Sequence, residues 1–115
     1  MEILNKLAEE YAVAFSSKED TLLTEISDYT NQHNSQQAGM LSGHVQGKIL
    51  EMISCLLKPK RILEIGTFMG YSALCLAKGL EPDGELHTIE LREEDGAIAR
   101  GFFSKSLHIN KIILQ

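Results

Sequence analysis

Two carboxylates flanking a glycine-containing bend are the residues of this 115-residue chain best placed to do chemistry. Glu64 stands two residues before Gly66, and Glu90 directly follows the run Glu85–Ile89. A carboxylate at position 64 would repel a diphosphate cradled by the bend, and Gly66 and Gly70 do not make the G-x-G-x-x-G of dinucleotide binders. The same charge suits a ligand that is positive there, such as the ammonium and sulfonium of S-adenosylmethionine. An acid closing the next strand would reach the hydroxyls of an adenosine ribose. The sign of the charge therefore favours that cofactor over NAD. This reading requires both carboxylates to face a shared hollow.

The elements that must position these groups are legible around them. Ile62, Leu63 and Ile65 form a β-branched and aliphatic run that reads as a buried strand. Gly66 and Gly70 bracket a tight loop, and Tyr71–Lys78 takes up helical spacing, with Ala73, Leu74, Leu76 and Ala77 turned inward and Gly79 as its cap. Strand, glycine loop and helix start build a ligand site because glycine lets the backbone approach and the helix end supplies unpaired N–H groups. Pro82-Asp83-Gly84 reads as a turn in which proline presets φ and glycine takes the unusual dihedral. The second strand, Glu85–Ile89, follows. Glu93–Ser104 is a helix weakened by Gly96 and Gly101, with Ile98, Phe102 and Phe103 on its apolar face, and Lys111–Leu114 begins a third strand.

Upstream, Ile3–Phe15 places Leu4, Leu7, Tyr11, Ala14 and Phe15 near i, i+3, i+4 spacing, an amphipathic helix expected to pack on the core. Ser17-Lys18-Glu19-Asp20 reads as a capping box opening a second helix, on which Leu22, Leu23, Ile26 and Tyr29 share a face. Thr30–Gly39 is polar and reads as a mobile loop, either a lid or a plain connector. His44–Leu57 is a helix with an apolar stripe of Val45, Ile49, Met52, Ile53 and Leu56, stopped by Pro59. Residues 1–39 thus form N-terminal helices and a polar loop, and residues 40–115 part of a Rossmann-like domain. Alternating strands and helices imply a parallel sheet with right-handed crossovers. The fold class is α/β: half of a doubly wound parallel sheet, three strands preceded by helices, an incomplete domain.

Met40-Leu41-Ser42-Gly43, Gln46-Gly47-Lys48, Glu64-Ile65-Gly66-Thr67, Gly70-Tyr71-Ser72 and Ile89-Glu90 together resemble the cation-dependent O-methyltransferases related to catechol and caffeoyl-CoA O-methyltransferases. The resemblance runs from about Met40 to the last residue and matches the N-terminal half of that family. It implies S-adenosylmethionine as cofactor and transfer of its methyl group to an acceptor hydroxyl. Glu64 would meet the amino-acid end of the cofactor by charge complementarity, and Glu90 the ribose. Gly66 and Thr67 would offer loop backbone, and Ser72 a hydroxyl near the carboxylate end. Phe68 and Leu91 would supply apolar walls, and Met40 and Ser42 would lie against the cofactor. Turn, cap and core roles also account for Thr67, Ser72 and Phe68, and core filling for Met40. Phe68 stands where relatives tend to carry tyrosine, so no hydroxyl contact is carried over to it.

The family's divalent cation, its carboxylate ligands and the acceptor pocket belong by this resemblance to the other half of the sheet, beyond Gln115. The first strand would then have an unpaired edge, and both faces of a parallel sheet need cover. The expectation is a homodimer, a strand-exchanged oligomer or a separate C-terminal half as partner. The N-terminal helices would cover the cofactor and help subunits pair. The alternative is a non-catalytic nucleoside-binding or assembly module that requires a partner chain.

Bulk properties agree with a small soluble domain. Hydrophobic residues make up 43% of the chain, enough for a core, and the net charge of −5 argues against a general nucleic-acid binder. Cys55 and Cys75 lie in apolar helical stretches without a C-x-x-C, which reads as buried free thiols in a reducing cytoplasm. The charges of Glu2, Lys6, Glu9 and Glu10 give the expectation that this stretch is not a signal peptide, and no apolar run approaches the ~20 residues of a membrane span. His44 is a lone histidine without ligand partners at suitable spacing, and His33, His87 and His108 form no cluster with it.

Overall fold

A computed structural model describes residues 5–115 of the chain. Ile3 and Leu4, assigned above to the first helix, and the charge of Glu2 lie outside the described residues. The element order is α1 (Lys6–Phe15), α2 (Thr21–His33), a 3₁₀ turn (Ser35–Met40), α3 (His44–Leu57), β1 (Arg61–Ile65), α4 (Tyr71–Ala77), β2 (Glu85–Ile89), α5 (Glu93–Phe103), a 3₁₀ turn (Ile109–Lys111) and β3 (Ile112–Leu114). The strands form one parallel sheet in the order β1-β2-β3.

Register decides which side of that sheet is inside. Ile62 pairs with Leu86 and Leu86 with Ile112, while Glu64 pairs with Thr88 and Thr88 with Leu114. Side chains alternate along a strand, so these six share one face. Leu86 and Thr88 are fully buried there, within a core that includes Ala73, Leu74 and Ala77 of α4 and Ala99, Phe102 and Phe103 of α5. Leu23 and Ile26 of α2 belong to the same core. The opposite face is open. Leu63 and Ile65 are 66% and 78% exposed. The expectation of a buried first strand is therefore corrected: Ile62 and Glu64 are half-buried on the helix-covered side, and Leu63 and Ile65 are exposed because no described element covers the other.

The α3 helix has the predicted bounds but not the predicted orientation. Ile49, Met52, Ile53 and Leu56 are exposed, and the buried residues are Gly47 and Ser54. Small residues let α3 approach α4 closely: a Cβ at Gly47 would stand 2.7 Å from the Tyr71 ring and 2.9 Å from Cys75 Sγ. The Ser54 hydroxyl donates to the Leu76 carbonyl (2.5 Å). Cys55 accordingly faces outward and is exposed, whereas Cys75 is buried, its thiol pushed up to about 12 chiefly by burial.

Four local expectations are corrected. Gly79 does not take a left-handed cap conformation; it lies against the Ser54 backbone, where any Cβ would overlap the peptide group. Gly84 has an ordinary φ, and its N–H closes the turn on the Glu81 carbonyl (2.8 Å). The capping box does not form, because the chain stays non-helical through Asp20 and α2 starts at Thr21. Glu19 instead accepts from Thr24 Oγ1 (2.8 Å) and from the Tyr71 hydroxyl. Finally, Thr30–Gly39 is not a loop: α2 continues to His33, and Thr30 is buried with its hydroxyl donating to the Ile26 carbonyl (2.8 Å). The α1 helix is the reverse case. It touches α3 but buries no residue, so Leu7, Tyr11 and Phe15 face solvent.

Candidate functional site

The bend between β1 and α4 is pinned to the end of β2 by its own amides. The N–H groups of Gly66 and Thr67 both donate to the Ile89 carbonyl, at 2.9 and 3.2 Å, and the Gly70 N–H donates to the Thr67 carbonyl (2.9 Å). What Gly66 and Thr67 can offer a ligand is therefore carbonyl oxygen and close approach, not N–H. Gly66 (φ +97°) borders open space, and Gly70 (φ +91°) lies so close to Phe103 that a Cβ would fall 2.5 Å from its ring. Phe68, also at positive φ (48°), is buried and donates its N–H to Glu90 Oε1 (2.7 Å). The other oxygen of Glu90 accepts from the Arg92 N–H (3.0 Å). Two backbone amides thus fix this carboxylate at the carboxyl end of β2.

Glu64 is fixed by hydroxyls. Its Oε1 accepts from Thr88 Oγ1 (2.8 Å) and its Oε2 from Ser72 Oγ. Burial pushes its pKa above the ordinary carboxylate value, and the two hydroxyl donors pull part of that back. Thr67 Oγ1 lies 2.6 Å from Thr88 Oγ1, buried among these groups.

Two adjoining hollows open over the bend. The smaller is lined by Met40, Leu41, Ser42, Gly66, Thr67, Phe68, Tyr71 and Ser72. The larger, about 370 Å³, is lined by Met40, Gly66, Phe68, Glu90, Leu91, Arg92 and Asp95, within the size range of small-molecule sites. Met40, Gly66 and Phe68 border both. Eight of the nine residues singled out in the sequence therefore converge; Glu64 lines neither hollow and is joined to them by its hydrogen bond to Ser72. The requirement that both carboxylates face one hollow is not met: Glu90 lines the larger hollow and Glu64 lines neither, meeting the site only through Ser72. Leu91 stands at the rim, 95% exposed, rather than as a packed wall.

Sequence reasoning missed Asp95, Arg92 and Thr88. Asp95 lines the larger hollow, and its pKa is raised by burial first and by the nearby charge of Glu90 second. Thr88 had no signal in the sequence alone: parallel pairing puts it beside Glu64, and that register exists only in the paired strands. His44 is a tether, its Nε2–H donating to the Ser17 carbonyl (2.7 Å). Among the described residues no three His, Cys, Asp or Glu side chains converge to hold a metal ion. The residues present do not fit the divalent cation that the resemblance implies.

A parallel strand leading through a glycine bend into a helix, with an acid closing the neighbouring strand, is the nucleotide-binding arrangement of Rossmann-like α/β domains. The family model described as O-methyltransferase matches residues 13–115. The chain belongs to this O-methyltransferase family. It is 40% identical over 55 residues to the catechol O-methyltransferase of Niastella koreensis, covering 48% of this chain and 25% of that protein. It is similar to an O-methyltransferase of Bacillus cereus solved in complex with SAH (S-adenosylhomocysteine), with TM-score 0.84 and 26% identity over 95% of this chain and 49% of the other. It is also similar to an O-methyltransferase of Streptomyces achromogenes involved in tomaymycin synthesis and solved with SAM (S-adenosylmethionine), with TM-score 0.79 and 31% identity over 94% and 48% of the two chains. The chain spans about half the length of these solved structures.

Proposed function

We propose that this chain forms the S-adenosylmethionine-binding half of an O-methyltransferase. The observation that carries the reading is Glu90, held by the Phe68 and Arg92 amides at the edge of a hollow that also contains Met40, Gly66 and Leu91. A carboxylate so fixed accepts hydrogen bonds from a vicinal diol without first having to be ordered. Met40 and Phe68 offer apolar surface, Ser42 and Ser72 polar groups on the adjoining hollow, and Glu64 a half-buried carboxylate behind Ser72. In the whole protein the reaction would be in-line transfer of the sulfonium methyl to an acceptor oxygen. This half contributes orientation of the methyl donor rather than the acceptor. A divalent ion, where the whole protein uses one, would need ligands other than a cluster of the described residues.

Calorimetric titration with S-adenosylmethionine and S-adenosylhomocysteine tests the reading. Micromolar binding that Glu90→Ala abolishes supports it; no heat with either ligand sinks it. The open sheet face, with Leu63 and Ile65 exposed, favours a second reading, an assembly module that pairs with another polypeptide without turning over substrate. That reading predicts normal pairing in Glu90→Ala. A cytoplasmic location and pairing with another copy or with a complementary half belong to the same proposal.

A further inference from the structure

Thr88 is fully buried, yet its hydroxyl is committed to a charged group: it donates to Glu64 Oε1 at 2.8 Å. A hydroxyl has one proton, so with that proton on Glu64 the 2.6 Å contact to Thr67 Oγ1 is one in which Thr67 donates and Thr88 accepts. The result is an oriented chain, Thr67 to Thr88 to Glu64, running from the bend through β2 to β1. Ser72, on the rim of the smaller hollow, holds the other carboxylate oxygen. No buried side-chain oxygen among the described residues lacks a partner, so every group in the chain has its position specified.

The geometry points to Thr88, seconded by Thr67, as a positioning residue that fixes the Glu64 carboxylate for the charged amino-acid end of the methyl donor. This rests on the S-adenosylmethionine reading of the site and deepens it. Thr88 lines neither hollow, and its hydroxyl bonds only to Glu64 and Thr67. Its influence on binding should therefore be confined to whatever part of the ligand Glu64 reads. A residue that mattered only for packing would affect every ligand of the site alike.

The test is titration of the 115-residue chain with two ligands. S-adenosylhomocysteine carries the amino-acid end, and 5′-methylthioadenosine shares the adenosine and thioether but lacks it. Thr88→Val keeps the shape and deletes the donor. It is expected to weaken S-adenosylhomocysteine about tenfold, the scale of one hydrogen bond to a charged group, and leave methylthioadenosine within about twofold. Thr88→Ser, which keeps the hydroxyl, should restore the difference. Thr88→Cys, which keeps the size but donates only weakly, should show the same selectivity, and it carries the test if Thr88→Val does not fold. Equal weakening of both ligands, or no rescue by serine, overturns the positioning role while leaving the site reading intact. Wild type binding neither ligand overturns both.

Discussion

Glu64 and Gly66 make opposite demands on the same bend. Burial raises the Glu64 pKa over its ordinary value of 4.5, so the folded chain binds this proton more tightly than the unfolded chain does. The sign follows from linkage: the contribution to stability is fully present below pH 4.5 and is lost as pH rises through the folded value. Glu64→Gln cannot titrate, so urea midpoints should show wild type losing stability relative to the variant as pH is raised above 4.5. A constant difference across that range would mean the carboxylate is not held as described. Gly66 sits at φ +97° beside open space, so Gly66→Ala meets no atom but adopts a conformation that costs about 1–2 kcal/mol. Gly66 borders both hollows, so an added methyl group there takes up space beside the ligand. The variant should fold with a lowered midpoint and lose most of its affinity for S-adenosylhomocysteine, both read in one titration series. These residues were legible because charge and glycine spacing are properties of the sequence itself. Thr88 was not, because its role depends on which residue of β1 lies beside it, and register becomes visible only once strands are paired.

The same distinction runs through the elements. The bounds of α3 and β2 and the start of α4 could be read from periodicity and from proline and glycine punctuation. Which side of α3 faces in could not. An apolar stripe at helical spacing predicts burial, yet α3 turns Gly47 and Ser54 toward α4 because close helix approach needs small residues more than large ones. The glycines separate accordingly. Gly79 lies against the Ser54 peptide group, so Gly79→Ala must push α3 and α4 apart and should cost about 1–3 kcal/mol or more. Gly101, in the exposed part of α5, has an ordinary φ, and a Cβ added there would meet nothing within 4 Å. Gly101→Ala should therefore stabilise by about 1 kcal/mol, the helix-propensity difference alone. Paired chemical-denaturation curves check both, and two shifts of the same sign would refute this division of the glycines. The missed α2 extension has a similar origin: Thr30 looks polar in sequence, but its hydroxyl is satisfied within the helix, so it can be buried.

At the level of the whole chain, the sheet and helices leave apolar surface that their own packing does not cover. Leu63 and Ile65 form one exposed row on β1, whose outer edge is unpaired among the described residues. A second row, on α3, includes Met52 and Leu56, and a third, on α1, includes Leu7 and Phe15. Parallel sheets ordinarily have both faces covered, and an apolar strand with a free edge templates pairing with another chain. The net charge of −5 opposes self-association over distances set by the Debye length, about 10 Å at 0.1 M salt. Sedimentation velocity at micromolar concentration should therefore show the 115-residue chain associating, more strongly as salt is raised. If β1 is the surface responsible, Leu63→Lys with Ile65→Lys should shift the distribution to monomer, because edge lysines block strand pairing. Met52→Glu with Leu56→Glu should do so instead if α3 dominates. A wild type that sediments as a cooperatively folded monomer, indifferent to salt and to both double variants, would show that these rows are tolerated exposure rather than a surface awaiting a partner.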